Sequence, residues 1–208
     1  MEEKVLAIID ILKDRYPDPQ CALHYQKDYE LMIAVRLSAQ CTDARVNLVT
    51  PALFAAYPTL EAMAAAPIEH IEELVHSCGF YKHKARDIVL ACQMLLSKHG
   101  GKVPDTMEAL LRIPGVGRKT ANLLLGDLYG VPGSVVCDTH CIRICGRLGL
   151  SQGKEPEKVE KQLRAILPPE ESSDFCHRIV LFGRDCCSSQ RPRCHECPLT
   201  MFCKEYNP

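Results

Sequence analysis

No stretch of this chain approaches the ~18 consecutive apolar residues that would suggest a membrane span. The first residues (Met1-Glu2-Glu3-Lys4) are acidic and pass straight into amphipathic periodicity, unlike a signal peptide. Net charge is almost absent, at −1 over 208 residues, which argues against an indiscriminate polyanion binder. No convincing strand pattern, repeat or low-complexity tract interrupts a composition that is 47% hydrophobic and 25% charged. These absences point to an ordinary helical protein of the cytoplasm with no membrane partner.

Cysteine, by contrast, is abundant: the chain has 13. The count is odd and no export signal is visible, so a disulfide scaffold is not expected and a metal site is. Cys187, Cys194, Cys197 and Cys203 are separated by six, two and five residues, with Pro192 and Pro198 holding the run out of helix. Thiolates suit zinc or an iron–sulfur cluster. A structural zinc site more often pairs two short Cys-x-x-Cys knuckles, and only one short pair exists here. The spacing therefore favours an iron–sulfur cluster, with zinc as the alternative. Cys186 adjoins the first ligand and leaves the register open by one residue. Cys137, Cys141 and Cys145 recur every four residues and are expected as small packed side chains on one helical face, with metal ligation as the alternative. Cys21, Cys41, Cys78, Cys92 and Cys176 read as core or near-core.

Helical periodicity runs through almost the whole chain. Residues 3–14 place Val5, Ile8, Ile9 and Leu12 on one stripe, and residues 28–39 are apolar nearly all round, as in a buried central helix. Thr42 can cap a helix over 43–56, which Pro51 should kink or interrupt. Pro67 suits the start of a helix ending near Gly79. Further helices are expected over 83–98, after Asp105 or Thr106, over 118–129, from Asp138 to Arg147, over 155–167 and over 173–186. The loop 130–136 is the best internal boundary. The fold class is all-α.

Charge is clustered despite its small sum. Arg112, Arg118 and Lys119 form one basic group, Lys82, Lys84 and Arg86 a second, Arg143 and Arg147 a third, and Arg178, Arg184, Arg191 and Arg193 a fourth. One basic face would accommodate all of them. Within the first group, Ile113-Pro114-Gly115-Val116-Gly117-Arg118-Lys119-Thr120 sets two glycines just before a helix. Such a turn can present amide N–H groups to an anionic oxygen, as a backbone phosphate would require. Lys119 would stand in the first helical turn, where the positive end of the dipole disfavours its ammonium form and favours a nucleophilic amine. The bland alternative is a glycine turn before a buried helix, with a solvated lysine.

Taken together, these motifs carry a family resemblance. Leu110 to Asn122 resembles the helix–hairpin–helix of endonuclease III, and Val136-Cys137-Asp138-Thr139-His140 resembles that family's catalytic-aspartate segment. The cysteine spacing is similar to its four-iron, four-sulfur loop. Leu37 to Asp43 and Gly79 to Lys82 look like its two base-displacing loops, although Phe80 stands where the family usually has an aliphatic residue. The resemblance implies two helical domains flanking a DNA-binding cleft: a barrel over 22–132, and a discontinuous domain of 1–21 plus 133–208 with the cluster loop at 187–203. It implies a monomeric, nucleoid-associated DNA glycosylase and abasic-site lyase of base-excision repair, acting on oxidised or ring-saturated pyrimidines in duplex DNA. Lys119 and Asp138 would be catalytic, Gln40 and Phe80 would fill the gap left by a flipped base, and Cys187, Cys194, Cys197 and Cys203 would hold the cluster. Gly115, Gly117, Arg118, Thr120, His140, Arg143, Arg191 and Arg193 would contact DNA, with a monovalent cation at the hairpin. Asp138 could also serve as a plain helix cap, His140 as a structural residue, and Arg143 and Arg147 as solvated cations. Two other readings remain: a monofunctional adenine-mismatch relative, which normally lacks the lysine, and a non-enzymatic DNA-binding module with structural zinc.

Overall fold

The computed structural model describes residues 1–206, and every regular element among them is helical. Eleven α-helices follow one another: α1 (Glu2–Arg15), α2 (Asp28–Ser38), α3 (Asp43–Ala56), α4 (Leu60–Ala64), α5 (Ile68–Val75), α6 (Tyr81–Lys98), α7 (Met107–Leu110), α8 (Arg118–Tyr129), α9 (Thr139–Arg147), α10 (Pro156–Arg164) and α11 (Ser172–Asp185). They divide into two compact units, Cys21–Tyr129 and, separately, Met1–Gln20 with the chain from Gly130.

In the unit Cys21–Tyr129, α2 is the central post. Leu31, Met32, Ile33, Ala34, Val35 and Leu37 are all buried, so the helix needs partners on every side. It finds them in α3, α6 and α8. Capping fixes where the surrounding helices begin: Thr42, Thr59 and Thr106 accept the amides of Arg45, Ala62 and Ala109 at the starts of α3, α4 and α7. Of the two caps expected before α7, Thr106 is the one used. The short helix α4 escaped the periodicity argument because five residues span too little of a stripe. Of the two outcomes expected at Pro51, a kink or an interruption, interruption does not occur: α3 runs through it. The proline stands on the exposed face, so its ring meets solvent and the helix gives up one hydrogen bond to Asn47 without a buried clash.

In the other unit, α11 packs on α1 and α9. Val5, Ile8, Ile9 and Leu12 of α1 are buried, as are Phe175, Ile179 and Phe182 of α11. Cys137, Cys141, Cys145 and Cys176 are all buried, and the Cys141 thiol hydrogen-bonds with the other three. Cys141 and Cys145 pack with Cys176 in the α9–α11 contact, and Cys137 lies just before α9. Also among the described residues, no helix is long and apolar enough to cross a membrane.

Candidate functional site

The hairpin is α7, a turn, and α8, packed on α2. Ile113 and Val116 are buried and pin the turn, which closes through Ile113 N–H to Leu110 O (3.0 Å) and Val116 N–H to Ile113 O (3.1 Å). The Gly117 carbonyl accepts from Ala121 N–H at 2.9 Å, so Gly117 is the last residue before α8. Any helix start leaves its first amides without intrahelical acceptors. Lys119 and Arg118 are exposed in that first turn and Thr120 is half-buried.

The two glycines differ in kind. Gly115 has φ +78°, a left-handed conformation that side chains disfavour. A Cβ there would also meet Arg36 Nε at 2.6 Å, inside the Arg36–Asp87 ion pair. Gly117 lies outside that positive-φ region, and a Cβ would meet nothing within 4 Å. The fold explains the first glycine and makes no demand for the second.

Two loops of the same unit carry the expected wedge residues. Gln40 (φ 52°) follows α2, and Phe80 (φ 48°) precedes α6. They are the two non-glycine residues with positive φ among those described, and both are exposed. Such backbone costs roughly 1–2 kcal/mol per residue and needs support. Lys84 supplies it. Its ammonium donates to Leu37 O at 2.9 Å and Cys78 O at 2.6 Å, tying the root of one loop to the root of the other. Only 1% of Lys84 is exposed, and burial pushes its ammonium below the ordinary lysine range. It is therefore no part of a basic surface patch. The signal was present in the sequence: Lys84, Ile88, Cys92 and Leu95 lie on one helical stripe, and all four are buried.

In the other unit, Asp138 caps α9, its Oδ1 accepting from Cys141 N–H at 2.7 Å. This leaves Oδ2 outside the cap on a half-buried carboxylate. His140, two residues on, lies against Gly183 of α11, where a Cβ would collide with the imidazole. Its Nδ1 is 3.2 Å from Arg143 Nη2.

Several basic side chains of this unit turn inward, while Arg184, Arg191 and Arg193 remain exposed. Arg143 donates to Cys187 O at 2.9 Å. Arg147 donates to Cys187 Sγ at 3.2 Å and Ser188 O at 2.9 Å, and pairs with Glu205. Arg178 is 4% exposed and binds Tyr16 O, Asp174 and Glu171. Arg193 pairs with Asp185 and Glu196, while Arg191 is exposed. Arg143, Arg147 and Arg193 thus lace α9 and α11 to the C-terminal loop, and Arg178 ties α11 to the end of α1.

That loop wraps a cavity of about 70 Å³ lined by Cys186, Cys187, Cys194, Cys197 and Cys203. The buried Leu199 anchors it, and Lys204 N–H donates to Arg147 O at 2.8 Å. Cys186 and Cys187 differ in their partners. Cys186 Sγ donates to Arg193 O at 3.6 Å, whereas Cys187 Sγ accepts a charge-assisted bond from Arg147, which suits a thiolate.

Comparison with known proteins agrees with this architecture. Residues 33–169 match the HhH-GPD superfamily of base excision DNA repair proteins. Endonuclease III of Synechocystis is 43% identical over 97% of this chain and 92% of its own length, and that of Bacillus subtilis is 42% identical over 95% and 90%. A solved endonuclease III, trapped as a covalent intermediate with DNA, superimposes with a TM-score of 0.92 at 42% identity, covering 99% of this chain and 96% of that one. With its helical architecture, its glycine hairpin and this likeness over nearly the whole length, the chain belongs to the endonuclease III family of the HhH-GPD superfamily.

Proposed function

We propose that the protein is a base-excision repair DNA glycosylase with abasic-site lyase activity, acting as a monomer on duplex DNA that carries oxidised or ring-saturated pyrimidines or abasic sites. One observation carries the reading: an exposed lysine stands in the first turn of α8, directly behind the hairpin glycines, in a chain 42% identical to an endonuclease III trapped covalently on DNA.

A base inside a duplex is unreachable, so the nucleotide is flipped out while Gln40 and Phe80 fill the gap. Lys119, as a neutral amine, attacks C1′ of the sugar. The C1′–base bond breaks, the base departs, and a Schiff base joins Lys119 to the sugar. Loss of a C2′ proton then expels the 3′ phosphate by β-elimination. Asp138 stabilises the cationic sugar and takes up the lysine proton. The amides of the Gly115–Gly117 turn hold a backbone phosphate, with a monovalent cation beside them. Arg118, Thr120, His140 and Arg191 add contacts to DNA, while Arg143 and Arg193 act through the loop they brace.

We assign Cys187, Cys194, Cys197 and Cys203 to a four-iron, four-sulfur cluster. The cysteine-lined cavity is several times the ~10–15 Å³ that one water needs, so it has room for a group larger than a single ion. The Arg147 bond to Cys187, against the backbone bond of Cys186, favours Cys187 as first ligand. When bound, the cluster would cross-link the loop and fix the basic segment around Arg191.

Borohydride trapping tests the lysine chemistry. On an oligonucleotide duplex bearing thymine glycol or an abasic site, the wild type should give a covalent adduct and Lys119→Ala none. No adduct in the wild type, or an undiminished one in Lys119→Ala, refutes the mechanism. Trapping at the abasic site alone would keep the lyase and revise the lesion. A colourless protein containing zinc would refute the cluster.

A further inference from the structure

The roots of the two wedge loops meet at a pair of thiols. Cys41 directly follows Gln40, and Cys78 precedes Phe80 with only Gly79 between them. The two cysteines are free, and their side chains hydrogen-bond to one another. Cys78 is 1% exposed and Cys41 half-exposed, so a small solute reaches Cys41 first. The surrounding scaffold holds both in place. Cys41 N–H donates to Ser38 O at 3.0 Å, and Cys78 O accepts from the buried Lys84 ammonium, which also holds Leu37 O. None of the chemistry proposed above uses either thiol.

We propose that Cys41 and Cys78 form a reversible disulfide that locks the two wedge loops together and switches off lesion recognition under peroxide stress. Cys41, as thiolate, attacks a hydroperoxide: the O–O bond breaks, sulfenic acid forms on Cys41, and the departing oxygen leaves as water or an alcohol. The Cys78 sulfur then attacks the Cys41 sulfur. The S–S bond forms, the S–O bond breaks, and the hydroxide leaves as water with the Cys78 proton. Both thiol sulfurs are oxidised, two electrons in all pass to the peroxide, and a dithiol reductant reverses the step by exchange. Burial raises the Cys78 thiol to about 11, which keeps it protonated as the resolving partner until the sulfenic acid appears beside it.

The consequence for DNA rests on the glycosylase reading above. A disulfide holds its Cα atoms within about 4.4–6.8 Å, so it fixes the spacing of two backbones that a single thiol hydrogen bond leaves adjustable. Gln40 and Phe80 lie one and two residues from those anchors, on backbone already in a left-handed conformation. Entry of both side chains into a duplex requires these loops to move with the DNA, and the lock removes the conformers that can follow.

The test uses the full-length protein, with its visible absorbance followed throughout. Hydrogen peroxide should join the peptides containing Cys41 and Cys78, with the loss of two hydrogens in mass, and dithiothreitol should separate them. Affinity for an abasic-site duplex should fall about tenfold on oxidation and recover on reduction. Cys41→Ala and Cys78→Ala should bind like the reduced wild type before and after peroxide. Absence of the joined peptide overturns the proposal. So does a joined peptide with unchanged or tighter DNA binding, or an equal peroxide-induced loss in the two variants, which would place the damage elsewhere. If the reduced wild type does not prefer abasic or damaged DNA over intact DNA, the glycosylase reading fails and the gate fails with it. The joined peptide still decides the disulfide in that case.

Discussion

Replacing each hairpin glycine with alanine separates what the fold requires from what DNA requires. At Gly115 two costs add. The left-handed backbone at φ +78° costs an alanine about 1–2 kcal/mol. The new Cβ lies 2.6 Å from Arg36 Nε, 2.7 Å from its Cδ and 3.0 Å from Asp87 Oδ2. Arg36 must swing away, and its half-buried pair with Asp87, now at 2.7 Å, is lost or strained. A pair in that setting contributes about 1–2 kcal/mol, between exposed and fully buried cases. Gly115→Ala should therefore lose about 2–4 kcal/mol, read as a lower urea midpoint with an unchanged slope. Gly117→Ala meets no atom within 4 Å and no positive φ, so its stability should stay within about 0.5 kcal/mol of wild type. If the Gly117 amide lies against a phosphate, the added methyl group should weaken binding to an abasic-site duplex by about tenfold or more. Unfolding curves and fluorescence-anisotropy titrations on both variants decide the matter. A fully stable Gly115→Ala would refute the close-approach argument. A Gly117→Ala that binds DNA like wild type would refute the phosphate cradle.

Asn caps a helix as well as Asp does, so Asp138→Asn should unfold like wild type while abasic-site cleavage falls by about 10²–10⁴; retained cleavage would leave the carboxylate as a cap and nothing more. Lys84→Met leaves two buried carbonyls without a donor and should cost about 2–4 kcal/mol in urea, with faster hydrogen exchange at residues 38–41 and 78–80. Arg147→Ala removes the bonds to Cys187 Sγ and Ser188 O and should lower bound iron per chain, measured by metal analysis; full iron content would show that the loop holds without it. Asp185, held below the usual carboxylate range by hydrogen bonds from Arg15 and Tyr16, favours folding above the ordinary value of 3.8, and this is lost as pH falls through the lower folded value. Asp185→Asn should thus flatten the acid limb of the stability–pH curve, and an unchanged limb would exclude this carboxylate as a cause.

The helices were legible because their signals are local. Apolar stripes, threonine caps and glycine stops are set by neighbours within a turn or two, and α2, α6 and α8 lie within a few residues of their expected bounds. Whether Pro51 would end its helix was not legible, because a sequence gives the break in the hydrogen-bond ladder but not which way the ring faces. The two hairpin glycines look alike in sequence and differ in kind in space, since the neighbours of Gly115 come from α2 and α6. No pattern within the hairpin could have found Arg36 or Asp87.

Charge was legible only in part, for the same reason. An arginine or lysine in sequence carries a sign but not a partner, and clustering suggested one basic face. In the fold, Lys84 holds two carbonyls, Arg178 sits among Tyr16, Asp174 and Glu171, and Arg147 reaches a cysteine sulfur. A buried cation costs several kcal/mol unless acceptors surround it, so each marks a place where the backbone must be held. Here those places are the roots of the wedge loops, the α1–α11 contact and the cysteine loop. Many other cations stay at the surface, Lys82, Arg86, Arg118, Lys119 and Arg191 among them. The acids exposed beside them keep the net charge at −1, which accords with binding DNA by position rather than by bulk charge. The salt dependence of binding should then be shallow, reporting a handful of phosphates rather than the whole complement of basic residues. A log–log slope steeper than about −6 for duplex DNA would mean that more cations reach phosphate than the contacts proposed above supply.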